Sequence, residues 1–216
     1  KIPEGGGWKS VSLASLRQGW SFVWSHSVIF PLMLLDFSAT FFGNARGLFP
    51  IFARDILFVG PKGLGLLYAA RAVGSLLAAV GMTVLGPVRR AGRWIIIGIG
   101  LYGLSTALFA QSRLFWLSVL MLALTGAGDT VSSILRSTIN QLSTPDELRG
   151  RMSSINSIFT SNGPQLGQFE SGLVAAWLGA EISALTGGLA TLIIVAIIAA
   201  AFPVVRRFQI QHAKQE

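Results

Sequence analysis

Six long stretches of low charge recur along this chain, and that pattern limits its fold more than any single motif does. Crossing a hydrocarbon core of about 30 Å takes about 20 mostly apolar residues in helix. The stretches are 27–52, 63–85, 94–110, 114–139, 152–178 and 182–205. Short connections rich in Gly, Pro and Arg join them, as neighbouring antiparallel helices require. The expected fold class is an all-α integral membrane bundle of six transmembrane helices. Composition agrees: 52% of the 216 residues are apolar and 12% charged, where a soluble domain carries about 25% charged residues. Three parts follow: a linker over 1–26, the bundle over 27–205 and a tail over 206–216. In the first part, WKSVSLASLRQGWSFVW reads either as an interfacial helix, with Trp20 and Trp24 one turn apart, or as plain linker behind a flexible Glu4-Gly-Gly-Gly7. The chain opens on Lys1 and has no cleavable signal pattern, so it is expected to be one part of a longer polypeptide.

A net charge of +8 would suit a nucleic-acid binder if it clustered on one wet face. Instead the basic residues lie in short groups between apolar runs, which points to membrane orientation and to no nucleic-acid partner. Six crossings put both termini on one side. That side holds Lys1, Lys9, Arg17, Arg89, Arg90, Arg93, Arg149, Arg151, Arg206, Arg207 and Lys214, and the other only Arg54, Lys62 and Arg113. The positive-inside rule makes the first side, with both termini, cytoplasmic. Trp94, Trp116 and Trp177 fall near predicted helix ends, where an amphipathic ring suits the headgroup layer.

Chemistry-bearing residues are few. There is no Cys and there are two His, His26 and His212, which leaves no thiolate, no metal site and no nucleophile–base pair. Neither HExxH nor GxSxG occurs, so no cofactor is expected and a membrane enzyme is disfavoured. Between the fourth and fifth stretches, Thr144, Pro145 and Glu147 fit the N-cap, N1 and N3 positions of a capping box.

The strongest functional signal is charge at bilayer depth, where each ionisable group costs a few kcal/mol or more. Six residues qualify: Asp36 and Arg46 on the first stretch, Arg71 on the second, Asp129 and Arg136 on the fourth, and Glu170 on the fifth. The third and sixth have none, as lipid-facing helices require. The chain thus divides into two triplets, each with two polar-bearing helices followed by an apolar one. Depth along the helix brings Arg71 and Glu170 to similar levels in the outer half, a candidate ion pair. Asp36 and Asp129 share a level in the inner half. Two carboxylates in one low-dielectric site cannot both stay charged comfortably, which makes them proton-coupling candidates. A structural alternative pairs Asp129 with Arg136, seven residues on along the same face.

Two polar stretches also carry helix-weakening runs, Gly43-Asn44-Ala45-Arg46-Gly47 and Asn162-Gly163-Pro164-Gln165. Irregular backbone at membrane depth survives only inside protein or beside a water-filled cavity, and broken helices in corresponding halves mark transporter sites. The glycines alone equally fit close helix packing. Asn44, Asn162, Gln165 and Gln168 add polar groups suited to lining a path.

LFPIFARDIL, GPKGLGLLYAARAVGSLLAA, GAGDTVSSILRSTINQLSTPDELRGRMSS and QFESG together resemble the C-terminal half of a major facilitator superfamily transporter, of the enterobactin-exporter-like (transmembrane secretion effector) group of bacterial exporters. The resemblance covers nearly the whole chain. Arg89, Arg90, Gly92 and Arg93 look like a degenerate form of that superfamily's basic cytoplasmic loop, with Arg89 where an acid is expected. It implies two three-helix repeats forming half of a twelve-helix carrier in the bacterial inner (plasma) membrane. First and fourth helices would line the path, second and fifth would gate it, and third and sixth would face lipid. The implied partners are the N-terminal six-helix half, a small organic substrate such as a siderophore or drug, protons, and the lipid bilayer. Asp36 and Asp129 would couple protons, with Arg46 and Arg136 as their partners or as binders of an anionic substrate. Arg71 and Glu170 would act at the outer gate. A non-transporting membrane scaffold or receptor on the same fold is the alternative.

Overall fold

The computed structural model describes residues 24, 28–86, 88–145 and 149–208. The predicted interfacial helix (beyond Trp24), both histidines, Glu147 and most of the tail lie outside them. Among the described residues the molecule is all-helical, with α1 (Ile29–Phe42), α2 (Gly60–Leu85), α3 (Ala91–Gln111), α4 (Phe115–Ser143), α5 (Arg149–Leu178), α6 (Ala180–Ala201) and a terminal turn α7 (Pro203–Arg207). Four of these helices, α2, α3, α4 and α6, are long and apolar enough by themselves to cross a membrane. The other two predicted spans depart from that pattern for local reasons.

The first span is broken. α1 stops at Gly43, and the chain continues as a 3-10 turn (Ala45–Leu48), one α-turn (Phe49–Ile51) and a π turn (Phe52–Ile56). Asn44 explains the stop: its side chain accepts the Arg46 backbone N–H, a local bond that competes with the helix. The fifth span is continuous over 30 residues. Its Asn, Gln, Glu and Pro residues make it too polar to read as a simple lipid-facing helix. At the sixth, Phe202 leaves helical geometry ahead of Pro203, with φ −121° and ψ 72°, as the residue before a proline is pushed out of the α region, so the helix ends at Ala201 rather than near 205.

Packing follows two related patterns. α4 lies against α2 and α3, while α1 lies against α5 and α6, and α3 meets α6 between them. In lipid, helices associate through close van der Waals contact, which small residues permit. A Cβ on Gly74 would meet the Ala123 carbonyl, and one on Gly126 the Arg71 carbonyl, so α2 and α4 touch backbone to backbone. Gly167 does the same for α5 against the Phe41 carbonyl of α1, Gly128 for α4 against Gly98 of α3, and Gly187 for α6 against the Phe42 carbonyl. Of the glycines expected either to break helices or to pack them, Gly163 and Gly167 pack a continuous α5 against α1, while Gly43 and Gly47 lie at and just beyond the end of α1.

Side chains fill two large cores, one toward each end, and a small cluster of Ile29, Met33, Met152 and Ile155 joins α1 to α5. Leu32, Leu35, Ile95, Ile99, Leu135, Ile139 and Ile198 form one. Phe49, Phe52, Leu67, Phe109 and Leu122 form the other, with Phe109 4.4 Å from the Phe52 ring centroid. The expectation that the third helix simply faces lipid needs correction. α3 is the most buried of the four long apolar helices, since α4 and α6 both cover it; only its Trp94, Ile97, Leu104 and Leu108 side stays open. Trp94, Trp116 and Trp177 are exposed near helix ends, as their sequence positions required. At the end carrying the basic loop, Gly92 backs onto the Val205 carbonyl and its N–H donates to the Phe208 carbonyl at 3.4 Å. Arg89, Arg90 and Arg93 project outward beside it.

Candidate functional site

The charges at membrane depth are joined through α4. Asp129 and Arg136 are seven residues apart, two turns, on this helix. Arg136 Nη2 reaches Asp36 Oδ1 of α1 at 2.7 Å, and Arg71 Nη2 of α2 reaches Asp129 Oδ2 at 2.9 Å. The first pair is enclosed, with side chains 8% and 12% exposed; in the second, Asp129 is 37% exposed. Both arrangements correct the sequence expectations. Arg71 does not meet Glu170, because α2 packs on α4 and not on α5. Glu170 sits half-buried on α5 without an ion pair among the described residues. Asp129 pairs with Arg71 and not with Arg136 along its own helix, and each aspartate has its own arginine. Sequence spacing misjudged relative level as well as neighbours: Asp36, set level with Asp129, meets Arg136 two turns away, and Arg71, set in the outer half, meets Asp129.

Around Arg71 the polar contacts continue. Its guanidinium carbon lies 5.6 Å from the centroid of the Tyr102 ring on α3. The buried Tyr102 hydroxyl donates to the Gly43 carbonyl at 2.7 Å, at the break in α1. Ser75 of α2 donates to the Gly126 carbonyl at 3.2 Å. A continuous set of contacts therefore runs from the end of α1 through Tyr102 and Arg71 to Asp129. Tyr102 was missed in the sequence, because an aromatic on an apolar helix reads as filler.

The two helix-weakening runs meet. Asn44 Nδ2 donates to the Pro164 carbonyl at 2.8 Å, and Asn44 is 4% exposed. Gly47 sits beside Gln168. Pro164 has no N–H to offer the Thr160 carbonyl, yet α5 stays helical through it, so only the run after α1 is broken, and that break is held against α5 by Asn44. Arg46, Asn162, Gln165 and Gln168 are exposed on the surface of the bundle. Arg46 makes no ion pair among the described residues; its carbonyl accepts the Tyr68 hydroxyl at 3.4 Å.

Below the Asp36–Arg136 pair, α4 and α5 do not pack closely. A cavity of about 140 Å³ there is lined by Asp36, Arg136, Ser133, Asn140, Asn156 and Thr160, among others. Thr144 donates its hydroxyl back to the Asn140 carbonyl at 2.6 Å at the end of α4; the N3 position of the expected capping box, Glu147, lies outside the described residues. At the opposite end of the bundle, Arg113 and Glu181 form a bidentate pair, at 2.8 and 3.1 Å, between the α3–α4 loop and α6. Both residues sat in loops by sequence, where charge carries little signal. Among the described residues no cluster of His, Cys, Asp and Glu could hold a metal.

Comparison with known proteins agrees with this architecture. The curated enterobactin exporter EntS of Escherichia coli O81 (strain ED1a) is 28% identical over 197 residues, covering 91% of this chain and 47% of EntS. EntS proteins of Shigella boydii serotype 18 and Escherichia fergusonii match to the same extent. The chain thus spans about half the length of the curated relatives it matches. No solved structure matches significantly. The family described as transmembrane secretion effector matches residues 11–215, nearly the entire sequence, and the chain belongs to that family of major facilitator-type membrane proteins.

Proposed function

We propose that this chain is the C-terminal half of a secondary transporter that exports a small organic molecule by alternating access, coupled to protons. The observation that carries the reading is the pair of ion pairs on α4, one enclosed and one partly open, inside a bundle of membrane helices. Charge at this depth is costly to keep, and a purely structural helix contact would do as well with apolar residues. The EntS relatives are named as enterobactin exporters, which supports an exporter of siderophore-like or drug-like substrates. Their greater length supports a partner half of six helices.

In this reading Asp36 and Asp129 exchange arginine for proton as the two halves rock, and α4 carries the change between α1 and α2. Arg46, Asn162, Gln165 and Gln168 sit on exposed surface where a path between halves would run. Glu170 and Arg71 no longer form one gate; Arg71 serves the Asp129 site. The basic residues Arg89, Arg90, Arg93, Arg149 and Arg206 support an orientation with both termini cytoplasmic, and the exporter relatives support the inner membrane.

The test uses the full-length protein in proteoliposomes with catecholate and drug-like substrates under an imposed pH gradient. Asp36→Asn and Asp129→Asn should each abolish gradient-driven flux while leaving substrate exchange at zero gradient. Full gradient-driven flux in both variants would overturn proton coupling. No flux in the unmodified protein for any substrate would favour the scaffold alternative.

A further inference from the structure

The buried Asp36–Arg136 pair is not sealed at the end where Arg149 lies. Two cavities, of about 140 and 250 Å³, share Ser137, Asn140 and Asn156 as lining. The smaller touches the ion pair; the larger opens beside Thr144 and Arg149. On their walls two buried polar atoms have no hydrogen-bond partner among the described residues, Arg136 Nη1 and Asn140 Oδ1. One is a charged donor and the other an acceptor, one helical turn apart on α4. Leaving either unmet inside a membrane protein costs about 1–3 kcal/mol or more. A water placed between them would meet both, and Ser137 and Asn156 supply the further contacts a buried water needs. At about 30 Å³ per water in the liquid, the smaller cavity has room for several.

We propose that the α4–α5 cleft is a water-filled path joining the Asp36–Arg136 pair to the Arg149 end of the molecule, with a bound water bridging Arg136 Nη1 and Asn140 Oδ1. Charged groups on the path are Asp36 from α1, Arg136 from α4 and Arg149 at the mouth on α5; the α5 residues facing the pair, Asn156 and Thr160, are neutral. Asp129 lies farther along α4, held by Arg71. The path gives the enclosed aspartate contact with one compartment, independent of the more open Asp129. It deepens the carrier reading by assigning Asp36 a side, yet its existence does not depend on transport.

The chain has no cysteine, so single cysteines report access cleanly once any elsewhere in the full-length protein are replaced. Ser153→Cys probes the mouth, Ser133→Cys the deep end, and Ser132→Cys, buried against α3, serves as a closed control. A charged, membrane-impermeant thiosulfonate is added from the Arg149 side of oriented vesicles. Ser133→Cys should react about tenfold or more faster than the buried Ser132→Cys. Asn140→Leu, which plugs the junction, should slow Ser133→Cys while leaving Ser153→Cys unchanged; the unchanged mouth also reports that the variant folds. Equal rates at Ser133 and Ser132 would overturn the proposal. So would fast reaction at Ser133 that Asn140→Leu does not slow, which would place access through another route.

Discussion

Removing Arg136 should damage this protein far more than removing any exposed charge. Arg136→Met keeps the length of the side chain but leaves Asp36 enclosed without its partner. Both side chains are nearly shielded, at 8% and 12% exposure, so the Asp36 charge would lose its ionic partner in a site where little solvent can replace it. Breaking such a pair from one side costs about 3–5 kcal/mol. The Arg113–Glu181 pair is the internal comparison, since its side chains are 67% and 39% exposed and pairs of that kind contribute about 0–1 kcal/mol. The assay is the temperature at which the detergent-solubilised full-length protein loses its monodisperse peak. Arg136→Met should lower it by roughly 5 °C or more, and Arg113→Met by about 1 °C or less. The double variant Asp36→Asn/Arg136→Met should recover most of the loss, because a neutral pair no longer buries an isolated charge. Equal shifts for Arg136→Met and Arg113→Met, or a double variant no better than the single, would refute the reasoning.

Three further outcomes can be checked in the same assay. Gly126→Ala puts a methyl into the Arg71 carbonyl and should destabilise by about 1–3 kcal/mol through overpacking. Gly172→Ala on α5 meets nothing within 4 Å and should be neutral or stabilising by up to about 1 kcal/mol. Tyr102→Phe removes the donor to the Gly43 carbonyl and should cost about 1–3 kcal/mol for the buried acceptor left behind; no loss would mean that this bond does not hold the α1 break.

The helices were legible because membrane spans are set by apolar length, and that signal is local. The break at Gly43-Asn44 was also local, visible as helix-weakening residues, whereas Pro203, which ends α6 at Ala201, was read through. Pairing was not local, since it depends on which helices become neighbours. Spacing along the helices set Arg71 level with Glu170, but spacing says nothing about azimuth, and the glycines that press α2 onto α4 decide the partner. Gly126 and Gly74 carry that information, yet a glycine in sequence looks the same whether it kinks a helix or seats another against it. The ion pairs at Asp36–Arg136 and Arg71–Asp129 were therefore within reach of the residues named from sequence, but in the wrong combination. Tyr102 and the Arg113–Glu181 clasp had no signal of their own, being an ordinary aromatic and two ordinary loop charges.

The central claim is that protons taken up at the α4 pairs drive substrate movement. The measurement that tests it most directly records both at once, with a pH-sensitive dye inside proteoliposomes of the full-length protein during substrate flux. The account predicts proton movement opposite in direction to substrate, lost together with gradient-driven flux in Asp36→Asn. Substrate flux through the unmodified protein with no accompanying proton movement would contradict it.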